Sequence, residues 1–153
     1  MMPLAARDGV GASFGDAAFT ATSAACVTGL VVKDTATYWS FWGQAIILVL
    51  IQIGGMGVVT AAAVLSAIAG RRIGLAQRSV MQEAISAPQI GGIVRITKFS
   101  VKMMASIETL GAILLIVPFC REFGALRGTW YAVFHSVSSF CNAGFDLMGV
   151  KEH

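Results

Sequence analysis

The sequence predicts an all-α membrane protein in which spanning helices alternate with short segments that enter the membrane and turn back. Three observations favour this class. Of the 153 residues, 56% are apolar and only 12% are charged, whereas soluble domains carry about 25% charged residues. One long stretch is apolar and uncharged, and one short pattern occurs twice. A lipid bilayer is therefore the expected surrounding of this chain.

Charge and side-chain chemistry argue against several other classes. The net charge of +3 is not spread over a broad basic face with interleaved aromatic residues, so no nucleic-acid partner is expected. The cysteines are an odd number without paired spacing and predict neither a disulfide framework nor a zinc site: Cys26, Cys120 and Cys141. The acidic residues are scattered and no nucleophile–base pair is found, so we expect neither enzymatic activity nor an organic cofactor.

The chain is expected to begin with a loop and a short helix. Residues 1–16 contain no apolar stretch after their charges, which argues against a signal peptide. Asp16 is a good helix starter, and a run of apolar and small residues follows it from Ala17. The helix that results has about ten residues, which is too short to span a bilayer and typical of a re-entrant segment.

The first spanning segment is predicted over Phe41–Ala69, which contains no charged residue. It is longer than the roughly 20 apolar residues that a spanning helix needs. An aromatic cluster precedes and begins it, as is typical of the headgroup level: Tyr38, Trp39 and Trp42. Three glycines lie within it, and they either permit close helix packing or act as a hinge or pore lining: Gly54, Gly55 and Gly57.

A basic connector follows over residues 71–97. It contains four arginines and one acidic residue, Glu83, and Lys98 comes directly after it. Short loops rich in Lys and Arg stay in the cytoplasm. The segments after Leu30 and after Phe119 have no comparable excess of positive charge, so the connector is predicted inside and both of these segments outside.

The second spanning segment is predicted over Lys98–Phe119. Lys102 lies near one end, where its ammonium group can reach the interface. Pro118 lies near the other end, where we expect the helix to finish. Glu108 is central, and a carboxylate at that depth needs a partner. Two interpretations remain open for it: a hydrogen bond to a neighbouring segment, or a place in an ion pathway.

The repeated pattern links the two ends of the chain. AAFTATSAACVTGL, which begins at Ala17, aligns without a gap with AVFHSVSSFCNAGF, which begins at Ala132. Thr129 is the expected start of the second short helix. Two spans separate the copies, so both copies lie on one face of the membrane. Gapless internal repetition over this length indicates two structurally equivalent units.

The tail of each copy predicts a cation site made of main-chain oxygens. Consecutive carbonyl groups can replace the hydration shell of an ion, and Gly permits the backbone conformations that this needs. A short helix ending at the same place adds a partial negative charge. We expect the side chains to pack behind the carbonyls of eight residues: Cys26, Val27, Thr28, Gly29, Cys141, Asn142, Ala143 and Gly144.

The same residues also have ordinary structural interpretations. A Gly after a helix is most often an ordinary C-cap, although a matched pair on one membrane face favours the filter. The cysteines within the two copies are expected to be small apolar fillers rather than redox centres. His135 is expected to be a packing residue rather than a proton switch.

Three stretches resemble the bacterial potassium-uptake subunits of the Trk/Ktr/HKT superfamily, especially the KtrB type: FTATSAACVTGLVVKDTATYWSFWGQ, IQIGGMG and WYAVFHSVSSFCNAGFDL. The resemblance implies four helix–pore-loop–helix repeats arranged with pseudo-four-fold symmetry around a potassium path in the plasma membrane. It makes Gly29 and Gly144 filter glycines. Gly at the first of these positions accompanies potassium passage in that family, and Ser there accompanies a preference for sodium.

The resemblance also implies a domain plan and partners. Residues 1–70 would form a first repeat without its first helix, residues 71–97 a cytoplasmic connector, and residues 98–153 a second repeat without its last helix. The full-length form would be a homodimer regulated by a cytoplasmic nucleotide-binding ring of the KtrA type, and some members need sodium. The alternative is a non-conducting truncated membrane fragment or assembly module.

Overall fold

A computed structural model describes residues 5–7, 11–57 and 93–149, with side chains from Thr97 onward in the last range. Within these residues the chain forms four α-helices and no strand. They are α1 (Phe14–Ala25), α2 (Phe41–Met56), α3 (Ile93–Phe123) and α4 (Ala125–Phe140). The prediction of an all-α protein is confirmed. The chain divides into two compact units, with boundaries after Gly55 and after Ser106.

Helix α1 begins earlier than predicted. Its N-cap is Ser13, whose hydroxyl accepts a hydrogen bond from the backbone N–H of Asp16 at 3.1 Å. The prediction of Asp16 as the cap is therefore wrong, because Asp16 lies inside the first turn. Its carboxylate still suits the positive end of the helix dipole there.

Helix α2 begins at Phe41, as predicted, and ends at Met56. Gly57 has φ of +78°, a conformation that a right-handed helix cannot use, so the helix stops before it. The predicted span continues to Ala69, and residues 58–69 lie outside the described part of the chain.

The buried side chain of Gln44 anchors the start of α2. Its amide group donates to the carbonyls of Thr35 and Trp39, both at 3.3 Å, and its oxygen accepts the Trp130 indole N–H at 3.0 Å. Every polar atom of this buried amide is thereby satisfied, which a buried polar group requires.

Helix α3 is longer than predicted at both ends. It begins at Ile93, within the predicted connector, and continues through Pro118 to Phe123. The prediction that it finishes near Pro118 is wrong, since a proline removes only one backbone donor and apolar helices in membranes tolerate it. In the described part of the chain this is the one helix long and apolar enough to cross a membrane, over Thr97–Phe123. Residues 71–92 of the predicted connector are outside that part.

Helix α4 follows α3 after a single residue, Gly124, whose φ is +82°. The prediction that Thr129 starts this helix is wrong. Thr129 lies four residues inside it, and its hydroxyl donates to the carbonyl of Ala125 at 2.7 Å. The positive φ of Gly124 reverses the chain directly into the helix, and this N-cap residue makes no side-chain hydrogen bond to the first turn. Gly128 then allows the close approach of α3, because a Cβ there would lie 2.6 Å from the backbone of Cys120.

The core of the first unit joins the start and middle of α2 to α4 and to the chain segment after α4. The largest fully buried side chains are Phe134, Ile51 and Leu147. Much apolar surface remains exposed on α3, including Leu114 at 68% and Leu110 at 59%. An outward apolar face of this kind suits contact with lipid rather than water.

Candidate ion-filter segments

The two short helices, α1 and α4, end in the same hydrogen-bond pattern. In the first, the N–H of Thr28 bonds to the carbonyl of Ser23 at 2.9 Å, and the N–H of Val27 bonds to Ala24 at 3.2 Å. In the second, the equivalent bonds run from Ala143 to Ser138 at 2.7 Å and from Asn142 to Ser139 at 3.1 Å. This paired arrangement is a Schellman motif.

The residues at the left-handed position of both motifs are not glycines. Val27 has φ of 56° and Asn142 has φ of 55°, and a β-branched residue such as valine is rarely found there. The ordinary C-cap interpretation of Gly29 and Gly144 is therefore wrong, because they lie three residues beyond the C-cap residues Cys26 and Cys141. Both glycines have φ of +71°. The backbone of the two segments is thus alike at each special position.

The two segments also lie against one another. A Cβ built on Gly29 would be 2.7 Å from the carbonyl oxygen of Ala143 and 3.2 Å from the Cα of Gly144. A Cβ on Gly144 would be 3.4 Å from the Cα of Gly29. The structure therefore brings together the two glycines that the sequence places 115 residues apart (144 − 29).

The carbonyl oxygens of these segments have no donor among the described residues. No described N–H or hydroxyl group bonds to the carbonyls of residues 26–29 or 141–144, although several N–H groups of the segments donate back to their helix. Carbonyl groups that the fold leaves unpaired need water or a cation as a partner.

Side-chain burial in the segments is less uniform than expected. Ala143 is fully buried, and Val27 packs against the core. In contrast, Cys26, Thr28 and Asn142 are exposed, so the prediction that all the side chains pack behind the carbonyls is wrong for these three. Within the first unit they lie at its surface, where short polar or small side chains carry little cost.

Two buried serines at equivalent positions tie each helix to its outgoing segment. The hydroxyl of Ser138 donates to the carbonyl of Phe145 at 2.7 Å. The hydroxyl of Ser23 instead pairs with that of Thr28 at 2.8 Å, an option that the second copy lacks because Ala143 replaces the threonine. The repeated serine in the sequence pattern therefore has a positioning role.

His135 connects the second helix to the chain beyond the segment. Its Nδ1 lies 2.8 Å from the carbonyl of Tyr131, and its Nε2 accepts the N–H of Leu147 at 3.3 Å. In this geometry Nδ1 is placed to donate to the Tyr131 carbonyl, and Nε2 is the acceptor. The ring also packs at 5.0 Å from Phe119. Packing and positioning, as predicted, describe what this side chain does in the structure.

Two glycines of α2 face the ends of α1 and α4. A Cβ on Gly54 would collide with the carbonyl group of Ala25, and one on Gly55 would collide with the side chain of Cys141. Close packing is thus the interpretation that the structure supports for both. Gly57 has no described residue within 4 Å of a built Cβ, and it follows the last residue of the helix.

Glu108 has a partner on α2. The Gln52 side-chain amide donates to both carboxylate oxygens at 3.0 Å. The neighbouring Ser136 hydroxyl donates to the Glu108 carbonyl at 2.6 Å. Of the two interpretations of Glu108, the hydrogen bond to a neighbouring segment is present. The sequence did contain a signal for Gln44 and Gln52, since polar side chains inside an uncharged apolar helix need partners.

Comparison with known proteins adds independent information. Residues 3–150 match the TrkH family, described as a cation transport protein. The potassium/sodium uptake protein NtpJ of Enterococcus hirae is 43% identical over 97% of this chain and 33% of its own length. The Ktr system potassium uptake proteins B of Bacillus subtilis and Vibrio alginolyticus are 43% and 40% identical over 86% and 90% of the chain, and 30% of each relative. The chain thus spans about a third of the length of the curated relatives it matches.

Proposed function

The chain belongs to the TrkH family of cation transport proteins, and from this premise we propose that it supplies two of the strands of a potassium selectivity filter within a larger transporter. The ion is held by the main-chain oxygens of residues 26–29 and 141–144. Sodium, which the name of the Enterococcus hirae relative also carries, is proposed as the competing ion and as a second cargo.

One observation carries the proposal. Two segments that are far apart in sequence have the same backbone conformation at their special positions and meet at Gly29 and Gly144. A cation leaving water needs several oxygens at once, and adjacent strands with unpaired carbonyls supply them. Helices α1 and α4 both end at this point, and their partially negative C-termini favour a positive charge there.

The proposed topology follows from the charge pattern. The filter segments, which are residues 26–29 and 141–144, face the outside of the plasma membrane. Residues 71–97 lie in the cytoplasm, where loops rich in Lys and Arg remain. Residues 1–70 and 98–153 act as two repeats of the pore. In the larger protein, the resemblance implies further repeats, a homodimer and a cytoplasmic nucleotide-binding ring of the KtrA type.

Growth at low potassium tests the function. The complete reading frame that contains this chain is expressed in a bacterium that lacks its own potassium-uptake systems, beside an empty vector and the protein with Gly29→Asp. We expect growth with the first and none with the other two, because a side chain at Gly29 would displace the Ala143 carbonyl oxygen and so disrupt the proposed ion site. Failure of well-expressed, membrane-inserted protein to restore growth contradicts the proposal.

A further inference from the structure

The structure contains a cavity that none of residues 26–29 and 141–144 lines. It is a cavity of about 410 Å³, within the range of small-molecule sites. The start of α2, the first turns of α4 and the residue 5–7 segment form most of its wall. Its most informative lining residues are Arg7, Phe41, Gln44, Arg127, Trp130 and Tyr131.

Two arginines are the charged residues in the cavity lining. Arg7 and Arg127 both line it, and within the described part of the chain no carboxylate does. The Nε of Arg7 donates to the carbonyl of Trp39 at 3.3 Å, which fixes the guanidinium group at the wall. Two carboxylates flank the lining without being part of it: Asp34 accepts the N–H and hydroxyl of Thr37, and Asp146 accepts the N–H of Met148. Both keep their charge, and both are oriented toward their own turns, which leaves the two guanidinium groups as the charged donors of the lining.

Aromatic rings surround the same opening. Phe41 and Trp130 pack with ring centroids 4.6 Å apart, and Phe41 also packs against Trp42 at 5.9 Å. Phe41 is 54% exposed and Trp42 is 65% exposed. Rings with this mixture of contact and exposure are typical of the level of lipid headgroups.

We propose that this cavity binds a phosphate group, and that the phosphate belongs to the headgroup of an anionic phospholipid. Guanidinium groups bind phosphate through paired, charge-assisted hydrogen bonds, and two of them face one cavity. The exposed rings of Phe41 and Trp42 extend the site onto surface that an acyl chain can cover. A free phosphate ion would use the arginines and leave that surface unused.

The tryptophans make the proposal directly measurable. The chain contains three, and all are at or beside the cavity: Trp130 in its wall, Trp39 bonded to Arg7, and Trp42 packed on Phe41. We would reconstitute the full chain in phosphatidylcholine nanodiscs and add equal mole fractions of brominated phosphatidylglycerol or brominated phosphatidylcholine. Bromine quenches tryptophan fluorescence at short range, so quenching reports occupancy.

Brominated phosphatidylglycerol should quench the tryptophan fluorescence at a lower mole fraction than brominated phosphatidylcholine. Arg7→Gln and Arg127→Gln should each weaken its apparent affinity about tenfold, the effect of one charge-assisted hydrogen bond. Arg127→Lys keeps the positive charge and loses the planar guanidinium group. Its apparent affinity for phosphatidylglycerol should therefore lie between those of the wild type and Arg127→Gln. Arg121→Gln is the matched control, because Arg121 is an exposed arginine at the end of α3 that does not line the cavity.

Three results would overturn the proposal. One is equal quenching by the two brominated lipids. Another is a loss in Arg121→Gln as large as in Arg127→Gln, which would indicate general attraction between a basic protein and an acidic bilayer. The third is displacement of phosphatidylglycerol by millimolar inorganic phosphate, which would assign the cavity to the free anion. Circular dichroism of each variant verifies that its helices are intact.

Discussion

Single residues determine the shape of the filter segments. Val27 and Asn142 adopt left-handed backbone conformations, which cost a valine about 1–2 kcal/mol and an asparagine less. The Schellman hydrogen bonds and the buried serines oppose this cost. Each segment is therefore held in place by local bonds as well as by the core.

Gly29→Ser should weaken the preference of the full transporter for potassium over sodium. A Cβ at Gly29 lies 2.7 Å from the Ala143 carbonyl oxygen, so that oxygen must move and the spacing of the ion site changes. Competition between rubidium and sodium in uptake assays measures the preference. Gly57→Ser is the matched control, because Gly57 also has a positive φ but nothing within 4 Å. Equal selectivity in wild type and Gly29→Ser would remove Gly29 from the filter.

Ser138→Ala should destabilise the protein more than Ser23→Ala. Loss of the Ser138 hydroxyl leaves the buried carbonyl of Phe145 without its donor, which costs about 1–3 kcal/mol. In the first copy Thr28 is exposed and can turn its hydroxyl to water, so the cost there is about 1 kcal/mol or less. Thermal unfolding in detergent compares the two variants, and an equal loss would show that the serines act in the same way.

At the scale of elements, glycines on α2 allow this helix to reach both filter segments. Gly54 meets the end of α1, and Gly55 meets Cys141 at the end of α4. Small residues let helix backbones approach closely in membranes, where contacts of van der Waals type hold elements together. Helix α2 is therefore a shared support for the two segments.

Gly54→Ala should destabilise the folded protein by about 1–3 kcal/mol, the usual cost of overpacking. The added methyl group meets the backbone of Ala25, which cannot rotate away as a side chain would. Gly15→Ala is the control, since Gly15 is also helical and its nearest neighbour would be 3.9 Å away. That change should be neutral or stabilising by up to about 1 kcal/mol. Unfolding midpoints that rank the two variants in the opposite order would contradict close packing at Gly54.

Some helix boundaries could be predicted from the sequence and others could not. Hydropathy correctly predicted the start of α2 at Phe41, and internal repetition predicted that two segments would be alike. The start of α4 was missed, because a single left-handed glycine, Gly124, replaces the polar cap that the sequence search expected. Pro118 was misread as a terminus because the penalty for proline is smaller where neighbouring groups compensate. The cap conformation of Val27 has no sequence signal, since valine disfavours it.

For the whole molecule, the pairing of Gly29 with Gly144 places both segments on the same face of the first unit. Contact between segments that are remote in sequence is tertiary information, and only the matched patterns hinted at it. Family membership places this unit in a membrane. Together these facts predict that one aqueous compartment reaches both segments.

Labelling with a membrane-impermeant thiol reagent tests this arrangement. In right-side-out vesicles, a single cysteine at Cys26 and a single cysteine introduced by Asn142→Cys should react from the same side, because both positions are exposed. All other native cysteines are replaced by serine in each variant. Arg78→Cys, in the basic connector, is the control and should react only after the vesicles are opened. Reaction of Cys26 and Asn142→Cys from opposite sides would reject the shared face.

The two segments share their backbone conformation at equivalent positions although most of their side chains there differ. Valine occupies one left-handed position and asparagine the other, threonine stands where alanine does, and leucine replaces phenylalanine. The φ angles nevertheless agree within one degree at both special positions. Two dissimilar sequences therefore present main-chain groups with the same φ angles at equivalent positions, which is what the proposed ion site needs from its two halves. Side-chain substitutions at the non-glycine positions of either segment can therefore change its packing or stability while the main-chain oxygens keep their positions.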